Sequence, residues 1–191
     1  MIRLHVRSAA SSSAVVAGLE QAGAEYAISV IDPPGGEPEL EDGVVHLSGA
    51  AAILLWLGDR FPASSLVPAA GSVERAHVYM WITWLANTVQ TTRARLDLTG
   101  GPTLGDDVAA TVRAAAADDL HAAFGYIDAH LASRTFLVGT ETTAADLLVH
   151  MLTSPHPMAD SAEALRYPAL AAHHDVMERL PAVLRTRQRL T

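Results

Sequence analysis

The feature that most constrains the fold is the segment from Val138 to Leu152, VGTETTAADLLVHML, which combines a helix-start signal with a strongly apolar helix. Thr143 is followed three residues later by Asp146 and then by an apolar run, a capping-box pattern with Asp in place of the usual Glu or Gln. We predict that Thr143 accepts the Asp146 N–H and that the Asp146 carboxylate accepts the Thr143 N–H. The helix is apolar enough to be buried in a helical domain, and Asp146→Ala should cost roughly 0.5–2 kcal/mol.

Composition excludes several classes of chemistry. The chain has 191 residues, 50% of them hydrophobic, which suits one compact unit or two small packed lobes. It has no cysteine, so disulfides, thiolate nucleophiles and thiolate metal sites are excluded. All of its basic residues are arginine, which excludes Schiff-base chemistry on lysine. The net charge of -8 disfavours nucleic acid as a partner, because phosphate binding needs clustered positive charge.

Hydropathy indicates no membrane segment. No apolar run approaches the roughly 20 residues of a membrane helix, and the first residues lack the apolar segment of a signal peptide. We therefore expect a cytoplasmic protein with no membrane partner. Abundant Ala and Arg with no Lys suggests a GC-rich genome.

The N-terminal part predicts a β-α-β unit. Residues 2–6 alternate as a strand does, and residues 25–31 read as a second strand, parallel to the first. The apolar helix between them ends at Gly23, which suits the positive φ of a helix C-terminus. We expect its N-cap to be one of three consecutive serines, Ser11, Ser12 and Ser13.

A hairpin and a second helix complete the first lobe. The short connection DPPGG leads to Pro38, which precedes an edge strand. Residues 44–47 return as the partner strand, and residues 49–60 form an apolar helix. The order β-α-β-β-α predicts an α/β domain over residues 1–68.

From residue 72 onward the sequence predicts only helices. A long helix over residues 73–98 is broken at residues 100–102, and Asp106 favours the start of the next one. A loop at residues 154–164 then leads to two short helices. We therefore place an all-α domain at residues 72–191.

This two-lobe pattern resembles the glutathione transferase superfamily along nearly the whole chain. VGTETTAADLL is similar to the family's buried capped helix, GSVERAHVYMWITWL to its first long helix, and RYPALAAHHDVMERLPAV to its C-terminal segment. EPEL takes the place of the strand after a cis-proline, so Pro38 would be that residue. The resemblance implies a trimmed thioredoxin-like lobe, an all-helical C-terminal lobe and a homodimer.

The departures from the family pattern fall on the glutathione site. Gly49 and Ala50 stand where the family has an acidic residue and a serine that hold the γ-glutamyl group. DPPGG is too short for the helix that usually holds the glycyl end. Losing several charge-assisted bonds of roughly 1.5–3 kcal/mol each would lower the affinity by orders of magnitude. By the resemblance, Glu37, Pro38, Gly49 and Ala50 are the thiol-binding positions, and binding of glutathione or another low-molecular-weight thiol is altered or lost.

The resemblance further implies a Tyr, Ser or Cys near the end of the first strand that stabilises the thiolate. His5 stands in this region, and Ser11 or Ser12 falls near the helix start, where a hydroxyl can donate to a thiolate with support from the helix dipole. These three are the candidate catalytic residues. The alternative interpretation is that the serines serve only as helix caps. They lack the GxSxG context of a hydrolase.

Further residues are candidates for a substrate cleft. His77, Trp81 and Trp84 share one face of the long helix, which in the family lines the space between the lobes. Arg7 follows the first strand and is a fourth candidate. Tryptophans at this spacing are also common in cores. Arg93, near the end of the long helix, can hold a carboxylate or lie on the surface.

No metal site is predicted. His173 and His174 are adjacent and so point in different directions on a helix. A proline-containing loop separates His150 from His156. Solvated or hydrogen-bonded histidines are the expectation for both pairs.

The sequence leaves the function open between classes. The leading hypothesis is a glutathione transferase-like enzyme that acts on a hydrophobic small molecule, by thiol transfer or by thiol-independent isomerisation, elimination or cyclisation. The alternative is a non-catalytic binding or scaffolding protein of the same fold. A third hypothesis is an ordinary glutathione transferase that holds the cysteinyl unit through the backbone at Pro38. The GC-rich composition adds natural-product biosynthesis, and thiols other than glutathione, as a candidate setting.

Overall fold

The computed structural model describes residues 1–31, 36–98, 105–154 and 165–190. The DPPGG connection apart from its last glycine, the predicted helix break at residues 100–102 and nearly all of the loop at residues 154–164 lie outside these ranges. Within them, no helix combines the length and the apolar character needed to cross a bilayer.

The N-terminal lobe is a four-stranded sheet with two helices. The strands are β1 (Ile2–Val6), β2 (Tyr26–Val30), β3 (Glu39–Asp42) and β4 (Val45–Ser48), and the helices are α1 (Ala9–Ala22) and α2 (Ala50–Arg60). The strand order is β2-β1-β3-β4, with β1 and β2 parallel and the other pairs antiparallel. A 3-10 turn, Pro62–Ser64, follows α2. This is the predicted β-α-β-β-α topology of a thioredoxin-like lobe.

Alternation along the strands gives the sheet an apolar and a charged face. Leu4 and Leu40 are register partners on β1 and β3, and both are fully buried. The next residue on β1, His5, pairs with Glu39, and its Nε2 lies 3.4 Å from Oε1 of Glu41. Because successive strand residues point to opposite sides, the charged face is turned away from the apolar core.

The N-cap of α1 differs from the predicted one. Ser8 has the extended backbone of a cap, and its Oγ accepts the N–H of Ser11 at 3.0 Å. Residues 11–13 therefore lie inside the helix. The helix starts early because the two residues after Ser8 are alanines, which favour helix. Gly23 ends the helix with a φ of 61°, as predicted.

All the regular elements described in the C-terminal lobe are helices. The predicted long helix is three consecutive pieces, α3 (Val73–Trp84), a π-helical segment (Leu85–Gln90) and α4 (Thr91–Leu98). The remaining helices are α5 (Asp106–Leu131), α6 (Ala144–Thr153), α7 (Pro168–Glu178) and α8 (Pro181–Leu190). α1 packs against α6 and α8, so the two lobes share one continuous apolar core.

Asp146, fully buried at the start of α6, does more than cap that helix. It forms the predicted capping box with Thr143, and its Oδ2 accepts the Thr143 N–H at 2.9 Å and the Thr143 hydroxyl at 2.8 Å. Its Oδ1 accepts the Leu137 N–H at 2.8 Å and faces Nε2 of His173 at 3.1 Å. One carboxylate therefore joins the turn before α6, the first turn of α6, and α7.

Asp146→Ala should cost more stability than a cap alone. The substitution leaves two buried N–H groups and His173 without their partner, and removing one side of a buried polar pair costs about 3–5 kcal/mol. We expect urea unfolding, followed by circular dichroism, to give a loss of that size. The exposed Glu141→Ala is the control and should stay within about 0.5 kcal/mol of the wild type. If Asp146→Ala lowers the free energy of unfolding by only about 1 kcal/mol, Asp146 contributes no more than a helix cap does.

Glu20 fastens α8 to the end of α1. Its carboxylate accepts the Tyr26 hydroxyl at 2.6 Å and Nε of Arg185 at 2.6 Å, and Nε of Arg189 lies 3.3 Å away. Burial raises the pKa of Glu20, but the bonds from Tyr26 and Arg185 and the two positive charges outweigh this, so its pKa lies below the ordinary 4.5. The last helix is thus held to the first lobe by a charged cluster.

Glu20→Gln should destabilise the protein in a pH-dependent way. Because the folded-state pKa is lowered, the carboxylate stabilises the fold above pH 4.5, and this contribution is lost as the pH falls through the folded-state value. We expect the variant to be about 1–2 kcal/mol less stable near neutral pH. Urea unfolding at a series of pH values should show the gap narrowing in acid. The exposed Glu25→Gln is the matched control, and a gap that stays constant with pH would contradict the assignment.

Candidate functional site

A cleft of about 360 Å³ lies between the lobes and gathers several polar side chains. The first lobe contributes Ser8 and Ser11 from the start of α1 and Glu37 from the segment before β3. The helical lobe contributes Gln90 and Arg93. The apolar lining comes from Ala10, Ala94, Met151 and Leu152. Apolar walls with a few converging polar groups are typical of small-molecule sites.

The two hydroxyls at the start of α1 are coupled. Ser8 Oγ accepts the Ser11 N–H and lies 2.8 Å from Ser11 Oγ. When the Ser8 hydroxyl donates to Ser11 Oγ, the Ser11 hydroxyl is left to donate elsewhere. Its acceptor among the described residues is then the Ser8 carbonyl, at a long distance of 3.4 Å. Ser11 can therefore donate into the cleft, where the N-terminus of α1 adds partial positive charge. This arrangement suits the stabilisation of a developing anion.

Glu37 is the acidic group of the cleft and bridges the lobes. Its Oε1 accepts a hydrogen bond from Nε2 of Gln90. Its Oε2 is buried and has no hydrogen-bond partner within the described ranges. That oxygen lies 4.0 Å from the position that a Cβ on Gly49 would take, beside the start of α2. A buried acceptor without a partner is costly, and it can accept a donor from a ligand.

The start of α2 offers backbone rather than side chains. Gly49 is the N-cap, with a φ of 91° that favours glycine. Its N–H donates to the Pro38 carbonyl at 2.9 Å, and Ala50 is buried. The four residues predicted to bind a thiol thus lie near one another, but only Glu37 brings a polar side chain.

Three other predicted site residues do not line the cleft, although Arg7 packs beside Gly36 at its edge. His5 is on the charged outer face of the sheet beside Glu41. Arg7 donates to Oε1 of Glu39 at 3.1 Å. Ser12 is fully buried, and no described group bonds its hydroxyl. Strand alternation explains the position of His5, and one step along α1 turns Ser12 from the cleft towards the core.

The predicted aromatic face of the long helix is mainly core. Trp81 is 1% exposed, and its ring lies 5.6 Å from Trp84 and 5.5 Å from Tyr126 of α5. His77, on the same helix, is exposed. The tryptophans therefore hold α3 to α5 instead of lining the interlobe cleft.

Sequence reasoning missed two polar residues of the cleft and left a third undecided. Three serines that offer equivalent local caps follow Ser8 closely, and no sequence pattern marks Gln90. Arg93 donates to the Leu152 carbonyl inside the cleft. It follows the π-helical segment, whose wider turn shifts the faces of α4 relative to α3. Nothing in the local sequence marks that segment.

A second cluster of polar side chains lies on the side of α6 that faces away from the interlobe cleft. Tertiary packing gathers His150 of α6 with His174 and Glu178 of α7, with ligand atoms all within 4.8 Å of one another. Sequence spacing gave no metal site because His150 and His174 are far apart in the chain. His156, weighed with His150 in the sequence, lies outside the described residues.

Comparisons with known proteins agree with the two-lobed fold. Residues 96–181 match the family "Glutathione S-transferase, C-terminal domain". The glutathione S-transferase of a sphingomonad, solved with glutathione, is 25% identical over 98% of both chains, with a TM-score of 0.83. The beta class enzyme of Sphingomonas chungbukensis is 22% identical over 99% of this chain and 100% of that one, with a TM-score of 0.83. A glutathione transferase of Phanerochaete chrysosporium, solved with oxidized glutathione, is 16% identical over 99% of this chain and 94% of that one, with a TM-score of 0.86.

No curated protein matches the chain by sequence. The family match over the helical lobe and the likeness of the whole fold nevertheless agree with each other. Residues 96–181 therefore match a glutathione S-transferase C-terminal domain, and the whole chain has the fold of the glutathione transferases. The resemblance seen in its sequence motifs is confirmed.

Proposed function

We propose that the chain is a glutathione transferase-like enzyme that acts on a hydrophobic small molecule in the interlobe cleft, with altered or lost glutathione binding. The observation that carries this proposal is the pairing in one cleft of the Ser11 hydroxyl, at a helix N-terminus, with the Glu37 carboxylate. The apolar lining supports a hydrophobic substrate. Cytoplasmic residence, the expectation from the sequence, is part of the same proposal.

Glutathione fits the cleft poorly. Gly49 and Ala50 offer neither a carboxylate nor a hydroxyl to the γ-glutamyl group. The Glu37 carboxylate lies beside the same helix start, so a ligand carboxylate there would meet a like charge. Each missing charge-assisted bond removes about 1.5–3 kcal/mol. The anionic tripeptide should therefore bind weakly.

Ser11 is the residue best placed for chemistry. Its hydroxyl and the α1 N-terminus can stabilise a thiolate, an enolate or another developing anion. With a bound thiol this supports thiol transfer, and without one it supports isomerisation, elimination or cyclisation through an anionic intermediate. Arg93, in the same cleft, supplies positive charge for an anionic part of the substrate.

The second candidate is a non-catalytic binding or scaffolding protein. The observation that favours it is the bond between Ser8 Oγ and the Ser11 N–H, which is a sufficient helix cap without any catalytic role. In that case the cleft holds a ligand or partner, and the serine hydroxyls serve only the fold.

We also propose a homodimer. The exposed side chains of Tyr79 and Met80 on α3 are 41% and 47% accessible, and together they supply apolar surface on one helix. Burying such surface against a second copy would stabilise a dimer. This agrees with the homodimers that are common in the superfamily.

An altered thiol site should be repairable in part. By isothermal titration calorimetry, the wild type should bind glutathione with a Kd no tighter than about 1 mM. This Kd corresponds to a binding free energy of about −4 kcal/mol. The double variant Glu37→Gln, Ala50→Ser removes the like charge and restores a hydroxyl, so its affinity should rise by about 10-fold or more. Glu25→Gln on the exposed surface is the control. Micromolar binding by the wild type would refute the altered site.

Ser11→Ala distinguishes an enzyme from a binding protein. A screen of glutathione and other low-molecular-weight thiols against a chlorodinitrobenzene electrophile, and of the electrophile alone, would identify a turnover reaction. In that reaction Ser11→Ala should lose roughly 100-fold in kcat, the scale of removing one anion-stabilising donor. The exposed Ser133→Ala should keep the wild-type rate. A folded Ser11→Ala with an unchanged rate would favour the non-catalytic alternative.

A further inference from the structure

A larger cavity, of about 870 Å³, lies on the side of α6 away from the interlobe cleft. It is bounded by the first turns of α1, the end of α6, α7 and α8. His150 from α6 and His174 and Glu178 from α7 meet at its wall. The proposed function of the cleft makes no use of these three side chains.

The three side chains converge on one point. His150 Nε2 lies 2.8 Å from Glu178 Oε1, and His174 Nε2 lies 3.9 Å from the same oxygen. The two imidazole rings lie close together, with centroids 4.7 Å apart and planes tilted by 36°. The two imidazoles and the carboxylate therefore bring three potential metal-binding atoms within 4.8 Å of one another.

Ser154 provides a fourth oxygen at the same point. Its hydroxyl donates to the His150 carbonyl at 2.7 Å, so its lone pairs remain directed to other groups. The same Oγ lies 3.5 Å from Nε2 of His150 and 3.4 Å from Nε2 of His174. The convergent set is therefore two nitrogens, one carboxylate oxygen and one hydroxyl oxygen.

We propose that His150, His174 and Glu178 bind a divalent transition-metal ion, with zinc as the reference metal. Two imidazoles and one carboxylate are a donor set that suits zinc, iron(II), cobalt(II) or nickel(II), whereas magnesium and calcium prefer all-oxygen sites. His174 and Glu178 are four residues apart on α7 and so share one face, and α6 supplies the third ligand. Three protein ligands leave a coordination position for Ser154, water or a ligand from the cavity.

The charges around the site set its affinity. Metal binding needs both imidazoles in the neutral form, because the ring nitrogen that binds the ion must be free of a proton. Asp175 lines the cavity near His174 and adds negative charge, whereas Arg187 pairs with Glu178 and competes with the metal for that carboxylate.

The test uses the full chain, freed of metal by a chelator and dialysed. Calorimetric titration with zinc chloride should give one site per chain, and zinc should raise the Tm of the wild type. Cobalt(II) should give visible d–d absorption bands of a four- or five-coordinate ion, which zinc then removes by displacement. These readouts do not depend on any enzymatic activity or on the thiol chemistry of the cleft.

Substitutions assign the ligands. His174→Gln and Glu178→Gln should each weaken zinc binding by about 100-fold or more, since losing even an outer partner of a metal ligand costs roughly 10- to 100-fold. Both residues are partly exposed, so these variants can be compared as folded proteins at matched circular dichroism. Arg187→Gln should tighten binding, because it frees Glu178 from its competitor. Exposed His77→Gln is the control and should bind zinc as the wild type does.

The proposal is overturned if zinc fails to bind at one site per chain. It is also overturned if binding survives unchanged in His174→Gln and Glu178→Gln, since any metal would then lie elsewhere. A cobalt spectrum of the octahedral hydrated ion would equally exclude a site with these ligands. Tighter binding in Arg187→Gln together with loss in the two ligand variants would support it.

Discussion

The fold depends on one buried carboxylate. Asp146 is fully buried and bonds to three separate parts of the helical lobe, namely Leu137, Thr143 and His173. Burying a carboxylate is costly unless its lone pairs are satisfied, and here both oxygens accept two contacts each. The same requirement fixes the geometry, because the donors can reach the carboxylate in only one arrangement of the turn, α6 and α7.

The local half of this arrangement could be predicted from the sequence and the distant half could not. Thr143 and Asp146 are three residues apart, so a capping box follows from helix geometry alone. The contact with His173 spans 27 residues and is decided by how α7 packs on α6. The same division holds for α1, whose end at Gly23 was predictable, while its start moved to Ser8 because neighbouring serines offer equivalent local caps.

The residues of the candidate site also divide into those that the sequence predicts and those whose positions depend on the tertiary structure. Ser11 and Glu37 were indicated by their positions next to a helix start and a proline, and the fold brings both to one cleft. The outward position of His5 was already contained in the alternation of the apolar residues Leu4 and Val6 on either side of it, since a strand points successive side chains to opposite faces. Arg93 could not be placed, because its direction depends on a π-helical turn that carries no sequence signal.

α6 lies between the interlobe cleft and the larger cavity and contributes side chains to both. Its Met151 and Leu152 line the interlobe cleft, while His150, earlier on the same helix, faces the larger cavity. Ala10, in the first turn of α1, borders both spaces. Because both spaces are lined by α6 and by Ala10, a shift of α6 on binding in one space would change the walls of the other. Asp146 opposes such a shift, because it ties the start of α6 to His173, the neighbour of His174 on α7. The interaction that secures the helical lobe therefore also holds α6 in place relative to α7, which carries two of the three proposed metal ligands.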